Sequence, residues 1–425
     1  MPRAARTSRA PLRSVFANAD GTVLDLPDLG AAADGGRVGP ADPVDFIPMP
    51  KGTLLLTLPG RSVVGWTNGE AATLDCMSGD AVSAVGAALP LGYTRASLPA
   101  YAARDGAPTL PLYGYTAVAW SDAGFQVAAI RTDALESWSA EGHGEDAIRE
   151  GIALRSMEFP RNRLVAQLSR CATEYGCYTA ANVFLRQGEA ALPVSPACNA
   201  KCLGCISEQE PDSPVRSAQE RVRARPSEDE ICDVAVAHLR AVPTGIVSFG
   251  QGCEGEPLLA VDLIERCIRR IRAATSSGLI HCNTNASRPD VLERLIKAGL
   301  RSIRVSLNSA RPDIYAAYYR PRGYGFEDVV HSLRVAASLD VSISLNLLTH
   351  PGVTDDREEI AALDALLAEI PIGMVQTRTL NVDPALYFAA VGRPHQTPIG
   401  MRVWLDWLRG AHPQVHVGNF TRGFG

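Results

Sequence analysis

The sequence predicts an α/β protein, a partial TIM-like (β/α)6 barrel preceded by a β-rich domain. Two observations carry this. From residue 190 onward, short β-branched runs alternate with amphipathic segments at a spacing of roughly 25–35 residues. That alternation is the mark of parallel strands joined by right-handed crossovers. Between residues 50 and 132 the pattern is instead short apolar runs separated by turns, with no helical period. A third observation places function. The residues following the strand candidates are amides, hydroxyls, glycines and cysteines, and a barrel opens its cavity at that end.

The bulk properties narrow the class. The chain has 425 residues, 46% hydrophobic and 20% charged, enough for two or three domains. A net charge of −5 gives no electrostatic case for nucleic acid or an anionic membrane. No apolar run is long enough for a membrane span. Arginine outnumbers lysine, and Ala, Gly and Pro are abundant, which reads as a GC-rich bacterial coding bias. The ten cysteines are too sparse for a disulfide scaffold, so reduced thiols in a cytoplasmic setting are expected. The start of the chain carries Arg3, Arg6, Arg9 and Arg13 without an acid. It has no apolar core, so it reads as a disordered tail rather than a secretory signal.

Taken in order, residues 1–50 are rich in Gly, Pro, Ala and Asp and read as loop. Residues 51–159 form the β-rich accessory domain. It starts with Thr53–Leu58, a Pro-Gly-Arg turn and Ser62–Trp66, and includes a hairpin of Ala117–Trp120 and Phe125–Ile130 around Gly124. Residues 160–189 read as a connecting helix, with Leu164, Leu168, Cys171 and Tyr175 on one face. The barrel spans 190–385, with strand candidates at 190–195, 245–250, 279–284, 302–308, 342–348 and 374–380. Ser227 to Glu230 has the form of a capping box opening the first crossover helix. Residues 386–425 form a C-terminal extension without cysteine.

The chemistry concentrates after the first strand. Cys198, Cys202 and Cys205 stand at the spacing C-x3-C-x2-C, with no further Cys or His within twenty residues. Three thiolates on one loop leave a metal site one ligand short. Zinc prefers four protein ligands, which Cys232, Cys253 or Cys282 would have to complete. An iron–sulfur cubane on three thiolates keeps one iron open. After the second strand comes Glu254-Gly255-Glu256-Pro257, where a glycine allows close backbone approach and a carboxylate can accept from an amine. Ser306 and Asn308 close the fourth strand, Pro351 and Gly352 follow the fifth, and Arg378 ends the sixth.

The three cysteines, joined to the Gly-Glu-Pro turn and six β/α units, resemble the radical S-adenosylmethionine (SAM) superfamily over about residues 190–385. The resemblance implies roles. Cys198, Cys202 and Cys205 would ligate a [4Fe-4S] cluster whose open iron chelates SAM. Glu256 and its turn, with Glu254, Gly255 and Pro257, would hold the SAM amino group. Ser306 and Asn308 match positions that contact the ribose or carboxylate, Pro351-Gly352 resembles a turn near the adenine, and Arg378 lies near the carboxylate or the substrate. Gly204 stands where the family often has an aromatic residue, and Glu254-Gly255 replaces its common double glycine. The implied activity is reductive cleavage of SAM to a 5′-deoxyadenosyl radical that takes hydrogen from a substrate.

The implied partners are an electron donor and a small-molecule or peptide substrate, with no nucleic acid and no membrane. Two other readings stand beside this one: an activase that installs a radical on a protein partner, and a non-enzymatic scaffold stabilised by zinc. Cys171 and Cys177 either bind a second metal or are small thiols on a buried helix face. His281 and His350 are either proton carriers or structural histidines. Tyr315, Tyr318 and Tyr319, with Arg320 and Arg322, either line a cavity mouth or form a packed aromatic face.

Overall fold

The computed structural model describes residues 11–133 and 144–419. The arginine-rich start of the chain and part of the 51–159 and 386–425 segments therefore lie outside the described residues. The chain divides into two compact units. One comprises Met1–Asp133, Leu348–Leu363 and Thr377–Pro413, the other Ala134–Leu347, Asp364–Gln376 and Gln414–Gly425. Residues 348–363 and 377–385, expected in the barrel, are thus grouped with the N-terminal unit. Among the described residues, no helix is long and apolar enough to cross a membrane.

The N-terminal unit is built on an antiparallel sheet. Its central path runs Tyr93–Arg95, Gly124–Arg131, Thr116–Ser121, Arg13–Ala17, Val23–Asp34, Arg61–Thr67 and Tyr101–Ala103. Side chains alternate between two cores. Phe16 packs with Leu58, Val63, Leu110 and Tyr115 on one face, while Val15 and Ala17 pack with Val85, Val118 and Val127 on the other. The hairpin at Gly124 is present, with Trp120 opposite Phe125 and their rings edge-on at 4.7 Å.

Two expectations for this unit are corrected. The first 50 residues are not loop, because Arg13–Ala17, Val23–Asp34, Val38–Pro40 and Phe46–Pro48 are strands. Gly and Pro masked them. Gly30 lies inside a strand because a Cβ there would stand 2.8 Å from the Trp66 carbonyl oxygen. Second, the strands flanking Gly60 do not pair. Leu54–Leu58 pairs with Ala84–Ala88, and Arg61–Thr67 with Glu70–Leu74. The chain turns a corner there because buried Arg61 donates to the carbonyls of Pro59 and Pro108, both at 2.8 Å, and to Asp383 at 2.9 Å.

The second unit contains most of the parallel barrel sheet. Its strands are β1 (Glu189–Ala191), β2 (Ile246–Phe249), β3 (Leu279–Thr284), β4 (Ser302–Leu307), β5 (Ser342–Thr349), β6 (Met374–Thr379) and β7 (His416–Gly418), in that spatial order. β1 pairs with β2, β2 with β3, β3 with β4, β4 with β5 and β6 with β7, each in parallel. β7 is a strand beyond the six expected; its three residues, His-Val-Gly, are too short to carry a period. Helices Glu228–Ala241, Val261–Ala274, Pro289–Ala298 and Phe326–Ser338 alternate with the strands, and the capping box at Ser227 is formed in both directions. Glu145–Glu158, in the segment expected to be β-rich, is a helix, and residues 160–189 hold two helices rather than one, Arg163–Glu174 and Tyr178–Leu185. Gly176, at φ +59°, separates the last two.

The sheet is curled into a half-barrel. Glu189 on β1 and Arg304 on β4 form a buried ion pair at 3.4 Å. Strands three apart in a flat sheet stand about 14 Å from each other, so these side chains meet across a concave face. His281, buried beside them, engages Ser302 at 2.8 Å and Asn283 Oδ1 at 3.2 Å. Asn283 in turn donates to Ser248 at 3.0 Å. Burial, reinforced by Arg304, lowers the His281 pKa to about 4. His281 is therefore neutral in this polar floor and does not carry protons near neutrality. Burial, with Arg95 beside it, also keeps His350 neutral in the other unit.

Candidate active site

The site begins where β1 stops. The sequence pattern extends this strand to Ser195, but the ladder ends at Ala191. Leu192 N still donates to Ser248 O at 2.9 Å, and beyond it the amides are claimed by a side chain. Glu254, buried after β2, accepts from Val194 N and Ser195 N with Oε2, each at 2.7 Å. Its Oε1 accepts from Gly250 N at 2.8 Å and Gln251 N at 2.7 Å. A carboxylate has about four lone-pair sites, and these four donors fill them. Glu254 has none left for a ligand, which corrects its place among the candidate cofactor contacts. Burial raises its pKa to about 7, opposed by the N–H donors.

Beyond Ser195 the chain becomes the cysteine loop, and neighbouring segments grip its backbone. Gly255 N donates to Ser195 O at 2.7 Å, and Glu256 N to Ala197 O at 2.8 Å. A Cβ on residue 255 would lie 2.0 Å from the Ala197 oxygen, so only glycine permits this approach. On the other side, Lys201 N and Leu203 N donate to Tyr319 O and Tyr318 O, both at 3.0 Å, and Arg322 N donates to Asn199 O at 2.8 Å. The Asn199 side chain donates to Ser287 at 2.9 Å and accepts from Asn285 at 2.8 Å. Turns after β2, β3 and β4 therefore converge on one loop. Gly255→Ala is expected to displace the loop by about an ångström, read as faster alkylation of Cys198, Cys202 and Cys205 by iodoacetamide.

Cys198, Cys202 and Cys205 are half-buried and free of disulfides. Burial pushes the Cys202 thiol well up, with Cys205 and Cys198 adding to it, so the three sulfurs share one electrostatic neighbourhood. Arg221 donates to Cys205 Sγ at 3.4 Å and Ser207 Oγ at 3.2 Å, and pairs with Glu208. The guanidinium thus places a hydrogen-bond donor on a sulfur that a metal would take as ligand. Arg221 was not legible in the sequence, since it lies in an aperiodic polar loop sixteen residues from Cys205. Among the described residues, no group of three His, Cys, Asp or Glu is arranged to hold a single metal ion. Three thiolates that each bind a different iron need not converge on one point. The donor set therefore suits a cubane better than one zinc. The cysteines weighed as a fourth ligand lie elsewhere: Cys232 against Cys267, Cys253 buried in the turn after β2, and Cys282 fully buried on β3.

Glu256 differs from its neighbour. Oε1 accepts from Leu258 N at 3.0 Å and Thr284 Oγ1 at 2.5 Å, and Oε2 accepts from Asn285 N at 2.8 Å. Three of its four lone-pair sites are used and one is left. Burial raises its pKa to about 7, and these hydrogen bonds oppose the rise. Pro257 opens the short helical turn that Glu256 caps. Ser306 lies on β4 opposite Asn346, and the Asn308 amide donates to Ile314 O at 3.3 Å. Pro351, Gly352 and Arg378 fall in the other unit. There Gly352 N donates to Asp355 at 2.6 Å, and the Arg378 carbonyl accepts from Thr349 at 3.2 Å.

The tyrosines form a packed cluster. Tyr315 stacks on Tyr319 at 4.6 Å, and Tyr318 meets Tyr319 edge-on at 4.9 Å. Tyr315, Tyr318 and Tyr319 are buried, and Tyr315 donates to the Tyr324 hydroxyl at 3.3 Å. Their contribution to the cysteine loop is through backbone carbonyls.

Comparison with known proteins agrees with this geometry. Residues 192–363 match the family model of the radical SAM superfamily. A GTP 3',8-cyclase from Microcystis aeruginosa (strain NIES-843 / IAM M-2473) is 28% identical over 170 residues, 39% of this chain and 49% of that protein. The chain thus spans about half the length of this curated relative. Among solved structures, the FeFe-hydrogenase maturase HydG from Carboxydothermus hydrogenoformans matches at a TM-score of 0.40 and 15% identity, over 65% of this chain and 72% of that one. Methylornithine synthase (PylB) matches at the same TM-score and identity, over 65% and 75%.

Proposed function

The chain belongs to the radical SAM superfamily, and from that premise we propose an enzyme that cleaves SAM reductively to start hydrogen abstraction from a small-molecule or peptide substrate. The observation that carries this is the cysteine loop itself: three free thiols on a backbone pinned by turns from three strands. Cys198, Cys202 and Cys205 would hold a [4Fe-4S] cluster. When bound, the cluster supplies the electron that breaks the sulfonium C5′–S bond of SAM.

The chain's own residues supply position and exclusion. Gly255 brings the Glu256 turn against the cysteine loop, and the remaining lone pair of Glu256 is offered to the SAM ammonium. Ser306 and Asn308, at the end of β4, are assigned to its ribose or carboxylate. Arg221 would donate a hydrogen bond to the cluster-ligating sulfur of Cys205. The neutral floor of His281, Asn283 and Ser302 and the tyrosine cluster close the cavity base with fixed dipoles instead of loose water, which a reactive radical requires. An external electron donor and a cytoplasmic setting complete the reading. Anaerobic reconstitution tests it. About four irons per chain and 5′-deoxyadenosine on reduction in the presence of SAM are expected. One zinc, no iron and no SAM cleavage would overturn it.

A further inference from the structure

The parallel sheet has a second opening, at the end remote from the cysteine loop. A cavity of about 840 Å³ lies where β3, β4 and β5 begin, and Arg272, Ser276, Lys297, Arg301, Asp340 and Ser342 line it. That volume falls in the range of small-molecule sites. β3 and β4 are six residues long, so about 20 Å of strand separates this cavity from the turns that grip the cysteine loop. Three of the lining side chains are cationic and one is acidic, on a chain whose net charge is −5.

The main chain holds two of these cations in place. Arg272, in the last turn of helix Val261–Ala274, donates to the carbonyls of Ser277 and Gly278, both at 3.1 Å. Arg301, just beyond helix Pro289–Ala298, donates to Ile296 O at 2.9 Å and Leu300 O at 3.0 Å. A guanidinium has five N–H donors, so each arginine keeps three. Among the described residues, neither forms an ion pair with a carboxylate. Lys297 is already paired with Glu293 at 2.6 Å. Asp340 is exposed and reaches neither arginine. Burial first, and then the charge of Arg301, hold the Arg272 pKa below its ordinary value.

Capping the ends of two helices accounts for the donors already spent. It does not account for two guanidiniums lining one cavity with no anion between them. A planar fork with donors to spare, fixed by the backbone before any ligand arrives, matches the oxygens of a phosphate. We propose that this cavity binds the phosphate group of a small hydroxylated molecule. The phosphate oxygens take the remaining donors of Arg272 and Arg301. Ser276 and Ser342 supply hydroxyls to the same group. Asp340 repels a bare anion and accepts from a ligand hydroxyl, which favours a phosphate ester over free phosphate. The site stands at the opposite end of the sheet from the cysteine loop and does not rest on the chemistry assigned there.

Isothermal titration calorimetry on the full-length protein tests this, with ribose 5-phosphate and inorganic phosphate as probes at matched ionic strength. Ribose 5-phosphate is expected to bind with a Kd below about 1 mM, and inorganic phosphate more weakly. Arg301→Gln, with circular dichroism as the check on folding, should weaken both by about tenfold. Asp340→Asn should tighten inorganic phosphate by about fivefold, because a repelling charge is gone. Asn is at home at the positive φ of 54° found there, and a gain in affinity cannot come from a damaged fold. No heat from either probe at 10-fold the expected Kd would overturn the proposal. So would binding that a folded Arg301→Gln leaves unchanged, or phosphate affinity that Asp340→Asn fails to raise. Equal affinity for the two probes would remove Asp340 from ester selection and assign the arginines to the free anion. Calorimetry reads binding alone, so its result is independent of whether the protein cleaves SAM.

Discussion

Cys202→Ala is expected to abolish iron retention and 5′-deoxyadenosine formation while leaving the protein folded. Cys202 is the middle thiol of the loop, pushed well up by burial, with Cys205 and Cys198 adding to it. Removing it leaves two thiolates, too few to hold a cubane. The loop itself should persist, because its anchors are backbone amides of residues 201, 203, 255 and 256 and the Asn199 side chain. Loss of one buried sulfur costs about 1 kcal/mol, a Tm change of a few degrees. Iron content by colorimetric assay and melting by circular dichroism separate the two effects. Wild-type iron in the variant would remove Cys202 from the ligand set. An Arg221→Ala variant should fall between the two proteins, since it removes a donor to Cys205 Sγ but no ligand.

Glu254→Ala is expected to be the most damaging single change to stability. Four backbone N–H groups from two chain segments lose their acceptor at once, those of Val194 and Ser195 fully buried and those of Gly250 and Gln251 partly so. Unmet buried donors cost 1–3 kcal/mol each, part of which relaxation recovers, so a loss of about 3–5 kcal/mol is expected. That lowers Tm by about 10 °C. Glu254→Gln should be nearly as severe, because its amide nitrogen would face two donors instead of accepting from them. Glu256→Gln keeps an acceptor for Leu258 N and Thr284 Oγ1 and leaves one main-chain donor, Asn285 N, unmet instead of two, so it should weaken SAM binding with a smaller change in Tm. Comparable stability losses at both positions would contradict the division of labour drawn between these carboxylates.

The sequence disclosed the cysteine loop because spacing is a one-dimensional property, and the strand–helix alternation because periods are local. It could not rank Glu254 against Glu256. That distinction depends on how many amides converge on each carboxylate, from segments about sixty residues apart for Glu254. The strands before residue 50 were hidden by Gly30, Pro27 and alanines, whose β preference is low. β7 was hidden by its length. The corner at Gly60 reads as a hairpin until the buried Arg61 and its partner Asp383, far away in sequence, are known. The approach of Arg221 to Cys205 is likewise a product of tertiary placement alone.

The bonds from Lys201 and Leu203 to the carbonyls of Tyr319 and Tyr318 bear on when the protein can mature. More than a hundred residues of chain separate the two halves of this clamp. At ordinary rates of synthesis the cysteines emerge on the order of ten seconds before the carbonyls that shape their loop. Through that interval the three thiols are an unstructured, oxidisable stretch on a nascent chain. Cofactor delivery is therefore timed to follow completion of β4 and the helix after it, and a truncation ending before Tyr318 should leave all three cysteines alkylatable and unable to retain iron.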